Sequence, residues 1–256
     1  HVELVTSVST DTDLATFSVG DDGPDASVDA NVVAEVVSAG GRTLAVDETA
    51  NQQVNPEDNV SDRVSNAAFG DLFESVTDTD QTQGSYGTDG AGDIDFALSL
   101  ENVTDGVSIQ GLDSGMHALG TDGAAGAQIN LYAVNGTIYG LTAAQVSAAT
   151  DQDPANAVSG AYFTIGVNNA GLVTFTQSST NIWHSDAGDD SNGEHDDVES
   201  IVLTAINDGS DEVAIRLTQT VTDADADTDT AHVELVTSVS TDTDLATFSV
   251  GDDGPD

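Results

Sequence analysis

Residues 212–239 read EVAIRLTQTVTDADADTDTAHVELVTSV, and this stretch decides the fold that the sequence predicts. Its first ten residues alternate between apolar and polar, which places Val213, Ile215 and Leu217 on one side of an extended chain. Alternation with a period of two is typical of a strand with one face in a core and the other in water. A second strand-like run follows at His232–Val239. We therefore predict two strands joined by an acidic turn.

Similar short runs recur along most of the chain, and polar turns separate them. The clearest is DIDFALSL, in which Ile94, Phe96, Leu98 and Leu100 face one way. Further strands are predicted at Thr43–Val46, Ala127–Val134, Thr137–Leu141, Tyr162–Val167, Leu172–Gln177, Ser200–Asn207 and Leu245–Val250. Many short strands with few helices favour two packed antiparallel sheets.

Turn and helix signals complete the predicted secondary structure. Asn135-Gly136 and Asn169-Ala170-Gly171 each separate two strand-like runs, as hairpin turns do. A helix is predicted at Thr142–Ala149, because Thr142 can cap it and its alanines favour it. A second short helix is predicted at Asn66–Ser75. The segments at residues 78–92 and 186–197 are rich in Asp and Gly and are predicted to be long loops.

The charge of the chain excludes several classes of protein. The 256 residues carry a formal net charge of −43, from 46 acids against 3 bases, and 36 of the acids are Asp. Such a surface repels phosphates and anionic lipids, so we expect neither nucleic-acid binding nor membrane insertion. No apolar run approaches the roughly 18 residues of a membrane span. Disulfides are excluded because there is no Cys, and 38% hydrophobic residues argue against disorder.

An internal repeat frames the sequence. Residues 1–25, HVELVTSVSTDTDLATFSVGDDGPD, recur unchanged at residues 232–256, an offset of 231 residues. Identity at all 25 positions predicts one complete repeat, plus an overlap, from a tandem array of similar domains. Gly and Pro in GDDGPD mark the boundary. We therefore predict the end of a preceding repeat at 1–25, a complete repeat at 26–251 and a linker at 252–256, with neighbouring identical repeats as partners.

The densest acidic cluster lies in the turn of the opening stretch. Asp223, Asp225, Asp227 and Asp229 occupy every second position there. On a strand they would form a row of like charges, which destabilises a sheet. In a loop they can converge on one hard cation, and Ca²⁺ takes six to eight oxygen ligands. The spacing therefore predicts a calcium site.

Several other acidic clusters repeat this pattern, which predicts several calcium ions. The residues proposed as further metal ligands are Asp21, Asp22, Asp25, Asp252, Asp253, Asp256, Asp47, Glu48, Asp189, Asp190 and Asp196. Asp89, Asp93 and Asp95 form another group at the end of the loop at residues 78–92. The alternative for each cluster is an acidic loop exposed to solvent.

Three segments resemble a known family. The ending VTDADADTDTAHVEL…FSVGDDGP is similar to the repeat ending of giant type I-secreted RTX adhesins of the Lap type. LAVDETA resembles the opening of those repeats, and GAYFTIGVNNAGLVTFTQ resembles their aromatic strand–turn–strand segment. The resemblance covers most of residues 20–256. One difference is Ala226, where the family usually has Gly.

The resemblance implies a fold, a role and a location. The fold would be an all-β, immunoglobulin-like antiparallel β-sandwich with long loops and one or two short helices. The role would be that of a calcium-rigidified extender repeat, which projects a distal binding region from the bacterial cell surface for adhesion and biofilm formation. The chain would then be extracellular and would have no enzymatic activity.

Other chemistry finds less support in the sequence. With 46 acids, some pair of carboxylates always suits a glycosidase, so that pattern carries little information. His117, His184 and His195 lack the spacing of a zinc site. A glycan- or surface-binding module acting multivalently along the array is the alternative function, with Trp183 and Tyr162 as candidate stacking residues.

Overall fold

The acidic hairpin of residues 212–239 is one of many hairpins in the computed structural model. The structure describes residues 5–7, 16–18, 23–47, 63–76, 84–178, 181–184, 196–207, 209–239 and 244–253. Within these ranges the strands are β1 (Val5–Ser7), β2 (Thr16–Ser18), β3 (Arg42–Asp47), β4 (Val64–Ala68), β5 (Ala91–Asn102), β6 (Val107–Ser108), β7 (Leu112–Leu119), β8 (Ala125–Val134), β9 (Thr137–Thr142), β10 (Phe163–Val167), β11 (Leu172–Gln177), β12 (Ile182–Trp183), β13 (Asp196–Ser200), β14 (Val213–Asp223), β15 (Thr228–Thr237) and β16 (Ala246–Asp253). The helices are α1 (Ala30–Ser38) and α2 (Ala143–Ala148), with short 3₁₀ turns at Gly70–Leu72, Thr150–Gln152, Pro154–Asn156 and Val158–Gly160.

The described strands form four sheets. The largest has the order β12-β7-β8-β9-β10-β11-β4, and a second has the order β15-β14-β5-β6. A three-stranded sheet has the order β13-β16-β3, and β1 and β2 pair with each other. All of the described strand pairs are antiparallel except β16–β3, which is parallel.

One hydrophobic core joins the three larger sheets. Phe163 and Phe175 of the seven-stranded sheet meet edge to face at 5.5 Å, and Phe175 meets Phe248 of the three-stranded sheet at 5.6 Å. Leu100 and Leu217 of the four-stranded sheet belong to the same buried cluster. The prediction of an all-β antiparallel sandwich with long loops and one or two short helices is therefore confirmed.

Local sequence signals account for several elements. Val213, Ile215 and Leu217 are fully buried, as the alternation predicts. Asn135 and Gly136 have φ values of 49° and 76°, which a two-residue hairpin of type I′ requires. Thr142 caps α2 through a capping box with Gln145. No helix in the described part of the chain is long and apolar enough to cross a membrane.

One helix prediction from the sequence was wrong, and one helix was missed. Residues 66–75 form the end of β4 and a 3₁₀ turn, because β4 pairs with β11 from Val64 to Ala68. The observed helix α1 was missed, since four of its nine residues are valines, which favour strands. Asp29 stabilises its start by accepting hydrogen bonds from the backbone N–H groups of Asn31 and Val32.

The predicted strand Ser200–Asn207 was also wrong in its position. The strand β13 ends at Ser200, and the next residues make backbone hydrogen bonds in two directions. Ile201 N donates to Phe248 O, and Val202 N donates to Ser114 O, so the segment passes from one sheet to another. At the chain end, β16 continues to Asp253, three residues beyond the predicted strand end at Val250.

Candidate metal centre

In the turn between β14 and β15, Asp223 and Asp227 enclose a hairpin loop of three residues, 224–226. Asp223 N donates to Asp227 O at 3.1 Å, and Ala226 N donates to Asp223 O at 3.4 Å. Asp227 N also donates to Asp223 Oδ1 at 2.9 Å. Ala226 has a φ of 79°, in the left-handed region that this type of loop usually gives to glycine. The backbone therefore holds Asp223 and Asp227 at the base of the loop.

Strand β5 brings a second acidic segment against this turn. A Cβ added to Gly92 would lie 2.3 Å from Thr222 O and 2.4 Å from Asp223 O, so only glycine fits this contact. The β14–β5 register shifts between Thr222 and Asp223. Ala224 N then donates to Gly90 O at 3.1 Å, which fixes the preceding residue, Asp89, beside the turn.

Three carboxylates converge as a result. One carboxylate oxygen from each of Asp89, Asp223 and Asp225 lies within 4.8 Å of the other two. Asp89 and Asp225 are exposed, whereas Asp223 is only 3% exposed. Asp223 Oδ2 is buried and has no hydrogen-bond partner among the described residues. A buried carboxylate oxygen without a donor is costly, and a cation would compensate it.

The spacing of these oxygens fits a bound calcium ion. Two ligands on one Ca²⁺ ion are separated by at most twice the Ca–O distance, or about 4.6–5.2 Å. The three residues supply three oxygens, or more if a carboxylate binds through both oxygens. Carboxylate and carbonyl oxygens are the ligands that Ca²⁺ prefers. The residues present therefore fit a hard divalent cation.

The start of the predicted repeat lies beside the same turn. Ala26 N donates to Asp229 Oδ2 at 2.8 Å, and Gly23 lies against Asp227. Asp25 and Ser85 exchange two backbone hydrogen bonds at 2.8 and 2.9 Å. Residues 23–26, residues 84–92 and the turn thus meet at one place.

The structure separates the four alternating acids of the turn. Asp223 and Asp225 belong to the three-carboxylate group, whereas Asp229 lies within β15 and accepts the hydrogen bond from Ala26. Asp227 lies between them and pairs with the backbone of Asp223. Strand geometry is the cause, since β15 begins at Thr228 and directs Asp229 away from the loop.

The other predicted ligands lie in different places. Asp25 directly precedes the predicted repeat and pairs with Ser85 beside the turn, but it is not one of the three converging carboxylates, and Asp47 ends β3. The backbones of Asp196 and Asp253 face each other on β13 and β16, and Asp252 faces Asp197. Outside the described residues lie Asp21, Asp22, Glu48, Asp189, Asp190 and Asp256.

Asp89 is the member of the site that the turn sequence could not reveal. It lies 134 positions before Asp223, at the end of the loop at residues 78–92. The sequence places it in a group with Asp93 and Asp95 instead. Its position depends on the β5–β14 register and on the close approach at Gly92. One local signal could have pointed to this region: the dipeptide Asp89-Gly90 is typical of a turn and lies just before a strand that contains glycine.

Two other carboxylates find donors within the chain. Asp244 accepts hydrogen bonds from the N–H and hydroxyl of Thr237 at 2.9 and 3.3 Å, while burial raises the pKa of its carboxyl. Asp211 is half-buried, and a hydrogen bond from the Asn207 amide is the main cause that lowers the pKa of its carboxyl. Asp223 differs from both, because one of its oxygens is buried and receives no hydrogen bond from the described residues.

The residues considered for other chemistry are dispersed. His117 and Trp183 meet edge to face at 6.3 Å, and neither His117 nor His184 joins the metal-ligand group found in the described residues. His195 lies outside those residues. Trp183 lies on β12 and Tyr162 precedes β10, four strand spacings apart, or about 19 Å. They therefore do not form one stacking platform.

The fold and this site define a class: an all-β sandwich with an acidic turn whose carboxylates could hold a metal ion. Residues 43–236 match the family described as a domain of unknown function, DUF5801, and the chain belongs to that family. Comparison with curated proteins gave no match, and comparison with solved structures gave none either.

Proposed function

We propose that this chain is a calcium-stabilised spacer repeat of a large bacterial surface adhesin. In this role, an array of such repeats projects a distal binding region from the cell for adhesion and biofilm formation. The observation that carries the proposal is the buried Asp223 Oδ2, which has no donor among the described residues and lies beside two further carboxylates.

Electrostatics supports a cation at this position. Three carboxylates within 4.8 Å of one another repel, and the chain as a whole carries 43 excess negative charges. Bound calcium supplies two positive charges and replaces the donors that Asp223 Oδ2 lacks. The protein holds these carboxylates in place through β5 and the hairpin loop, and not through the cation alone.

The location of the site supports a stiffening role. The three ligands come from two segments, and residues 23–26 are hydrogen bonded to one of them through Asp229. Linking these segments would fix the entry of the repeat to its β14–β15 hairpin. A spacer needs such fixed entry points, because the direction of each repeat sets the direction of the next.

The repetition of sequence supports a spacer over an individual binding domain. The 25 unchanged residues at an offset of 231 indicate near-identical neighbouring repeats, in which length itself is useful. The resemblance to extender repeats of RTX adhesins agrees with this interpretation and suggests an extracellular location. Extracellular modules commonly bind calcium at about 10⁻⁴–10⁻³ M.

Thermal unfolding of the 256-residue chain tests the calcium site. Calcium at about 100 times its dissociation constant stabilises a folded protein by about 2.7 kcal/mol. We therefore expect the midpoint measured by circular dichroism to rise by on the order of 5–10 °C between chelator and calcium. Asp223→Asn, which keeps the shape of the side chain, should remove most of this rise.

Asp113→Asn is the matched control, because Asp113 Oδ1 also accepts a backbone hydrogen bond, from Gly115 at 2.8 Å. This variant should keep the calcium response. An unchanged midpoint of the native chain in calcium and in chelator would contradict the proposed site. Magnesium in place of calcium measures the selectivity of the site.

A chain extended by one further copy of residues 26–256 tests the spacer role. Small-angle X-ray scattering should show a longer and narrower distribution of distances in calcium than in chelator. Two repeats that stay equally flexible in both conditions would contradict a calcium-stiffened spacer. Binding of the same chain to a glycan array would instead favour the alternative function of a multivalent binding module.

A further inference from the structure

The three-stranded sheet contains the one parallel pair among the described strands. Strand β16 lies at the centre of this sheet, between β13 and β3. β3 and β16 run in the same direction over six residue pairs, from Arg42 opposite Ala246 to Asp47 opposite Gly251. Because β3 lies near the start of the predicted repeat and β16 at its end, this sheet joins the two ends of the repeat directly.

Parallel pairing determines how the sheet responds to tension along an array of repeats. The preceding part of the chain pulls β3 from its first residue, Arg42, and the following part pulls β16 from its last residue, Asp253. In two parallel strands these pulls are opposite and lie along the strands, so the hydrogen bonds between them are sheared together. Strands pulled apart from the same end would instead lose their hydrogen bonds one after another. The β3–β16 pair is therefore oriented to resist extension of the repeat.

The hydrophobic core and a third strand also hold this pair. On its other side β16 pairs with all five residues of β13. Phe248 of β16 is fully buried, and its ring meets that of Phe175 in the seven-stranded sheet at 5.6 Å. In β3, Leu44 is fully buried and Val46 nearly so. Sliding either strand would expose these side chains to water, which adds a hydrophobic cost to the shearing of the hydrogen bonds.

Arg42 anchors the first residue of β3 to the end of β4 and the 3₁₀ turn that follows it. Its guanidinium donates two hydrogen bonds of 2.7 Å to the Asp71 carboxylate and a third to Ala68 O. It also lies over the Phe69 ring, 5.1 Å from the ring centroid. Arg42 N donates to Leu245 O at 2.9 Å. One of only three basic residues in the chain therefore lies at the point where tension enters β3.

The segment at residues 26–38, which precedes this pair, is held less firmly. In α1 only Val36 is buried. The residues before α1 are joined to the rest of the chain by isolated bridges at Asp25 and Val28. Isolated bridges and a short helix yield at lower force than a sheared pair of strands, since a helix of this length is marginal in water. Tension therefore extends this segment first and then acts on Arg42.

We propose that β3 and β16 form a mechanical clamp, residues 42–47 and 246–253, which bears tension transmitted along an array of repeats. The clamp keeps the repeat folded while the residues before β3 extend. This function rests on the proposed spacer role, since only a repeat that is pulled at both ends needs it. It does not use the metal centre, because Asp89, Asp223 and Asp225 lie outside the two strands.

Single-molecule force spectroscopy on the 256-residue chain tests the clamp by pulling it in two directions. The sequence contains no Cys, so a pair of added cysteines defines where the handles attach. Ser38→Cys with Asp256→Cys pulls β3 and β16 from opposite ends and shears the clamp. Ser38→Cys with Thr243→Cys pulls both strands from their first residues and unzips it. The two pairs enclose almost the same length of chain, so the second pair is the matched control.

The two directions of pulling should give different unfolding forces. At the same pulling speed we expect the force in the shear direction to be about twofold or more higher, because six residue pairs must break together. Complete unfolding should release on the order of 70 nm of chain in both directions. The thermal midpoints of the two cysteine variants should agree within about 2 °C, since forced unfolding follows an unfolding rate and not the equilibrium stability.

Arg42→Gln tests the anchor at the start of β3. We expect it to lower the shear force by on the order of a quarter, because a bidentate ion pair and a cation–π contact are lost where tension enters. Asp71→Asn removes the same ion pair from its other side and carries the comparison if Arg42→Gln does not fold. Arg216→Gln is the matched control, since it removes an ion pair outside the clamp, with Glu234 at 3.1 Å, and should keep the shear force.

Two results would overturn the clamp. The first is an equal unfolding force in the two directions of pulling, and the second is an equal loss of shear force in Arg42→Gln and Arg216→Gln. The direction dependence should persist in chelator, because the metal centre lies outside the clamp. A chain with direction dependence but no calcium response would therefore contradict the calcium-stabilised role and keep the clamp. A calcium response without direction dependence would contradict the clamp alone.

Discussion

Two hairpin turns of this protein reverse the chain with different chemistry. The turn at Asn135-Gly136 joins β8 to β9 with the residues that tolerate positive φ. The turn at Asp223–Asp227 joins β14 to β15 with alanine at a φ of 79° and a buried carboxylate oxygen without a donor among the described residues. The first turn satisfies its own local requirements, whereas the second does not.

This difference shows which turn depends on something outside the chain. A turn that only connects two strands has no reason to keep a buried anion or an alanine in the left-handed region. Unfavourable features of this kind cluster at ligand sites, where the ligand compensates them. We therefore expect a cation to stabilise the acidic turn and to have no effect on the Asn135-Gly136 turn.

Gly92→Ala should give the largest effect in this comparison. Its Cβ would lie 2.3 Å from Thr222 O, so β5 and β14 must separate and Asp89 must move away from Asp223. We expect a loss of about 3 kcal/mol in the free energy of unfolding, measured with urea, and loss of the calcium response.

Gly136→Ala is the control for this variant. It places a Cβ at a positive φ, 3.3 Å from Ala97 Cβ, and should cost about 1 kcal/mol with or without calcium. The contrast between the two turns fails if Gly92→Ala retains the calcium response or if Gly136→Ala loses it.

Ala226→Gly should have a smaller effect and the opposite sign. Glycine adopts the left-handed conformation without the steric cost that alanine has, so we expect a gain of about 0.5–1 kcal/mol in chelator. Ala224→Gly, in the same loop but without a positive φ, should be neutral or destabilising. Equal effects of the two substitutions in urea unfolding would show that Ala226 is not strained.

The smallest effect concerns acids whose donors come from the chain itself. Burial raises the pKa of the Asp244 carboxyl above its ordinary value of 3.8. Between pH 3.8 and the pKa in the folded state, the native protein therefore keeps a proton that the unfolded chain has released. The contribution of Asp244 to stability is thus greatest below 3.8 and falls as pH rises through the folded pKa. The unfolding free energy of the native chain minus that of Asp244→Asn, measured with urea across this range, should decrease with pH.

Asp211→Asn is the control with the opposite sign. The pKa of Asp211 is lowered mainly by the Asn207 amide, so its contribution is present above 3.8 and lost as pH falls through the folded pKa. The corresponding difference in unfolding free energy between the native chain and Asp211→Asn should therefore increase with pH. If the two differences in unfolding free energy changed with pH in the same direction, the local contacts of Asp244 and Asp211 would not determine how these carboxyls titrate.

Much of the fold was predictable because strand alternation and turn residues are local signals. The burial of Val213, Ile215 and Leu217 follows from period-two alternation. Helix α1 was not predictable in this way, because its valines favour strands and Asp29 alone marks its start. The segment after Ser200 was not predictable either, since its hydrogen bonds go to β16 and β7, which are distant in sequence.

Two of the three members of the candidate site followed from sequence. The DxDxD spacing identified Asp223 and Asp225, but it also grouped Asp227 and Asp229 with them. Strand β15 begins one residue before Asp229 and removes it from the loop, and the loop that leads into β5 supplies Asp89 instead. Which acids come together at the site depends on the register between strands, and the residues adjacent to each acid do not encode that register.

The sequence by itself determined the all-β class, the acidic turn between two strands and the repetition of 25 residues, because these are patterns of neighbouring side chains. Which acids meet depends on contacts between segments distant in sequence, since Gly92 must approach the backbone of β14 before Asp89 can face Asp223. Tertiary contacts also pair β1 with β2, whereas the identical residues 236–237 and 247–249 pair with other strands. A strand's partners are set by the surfaces available to it, and those surfaces come from the rest of the chain.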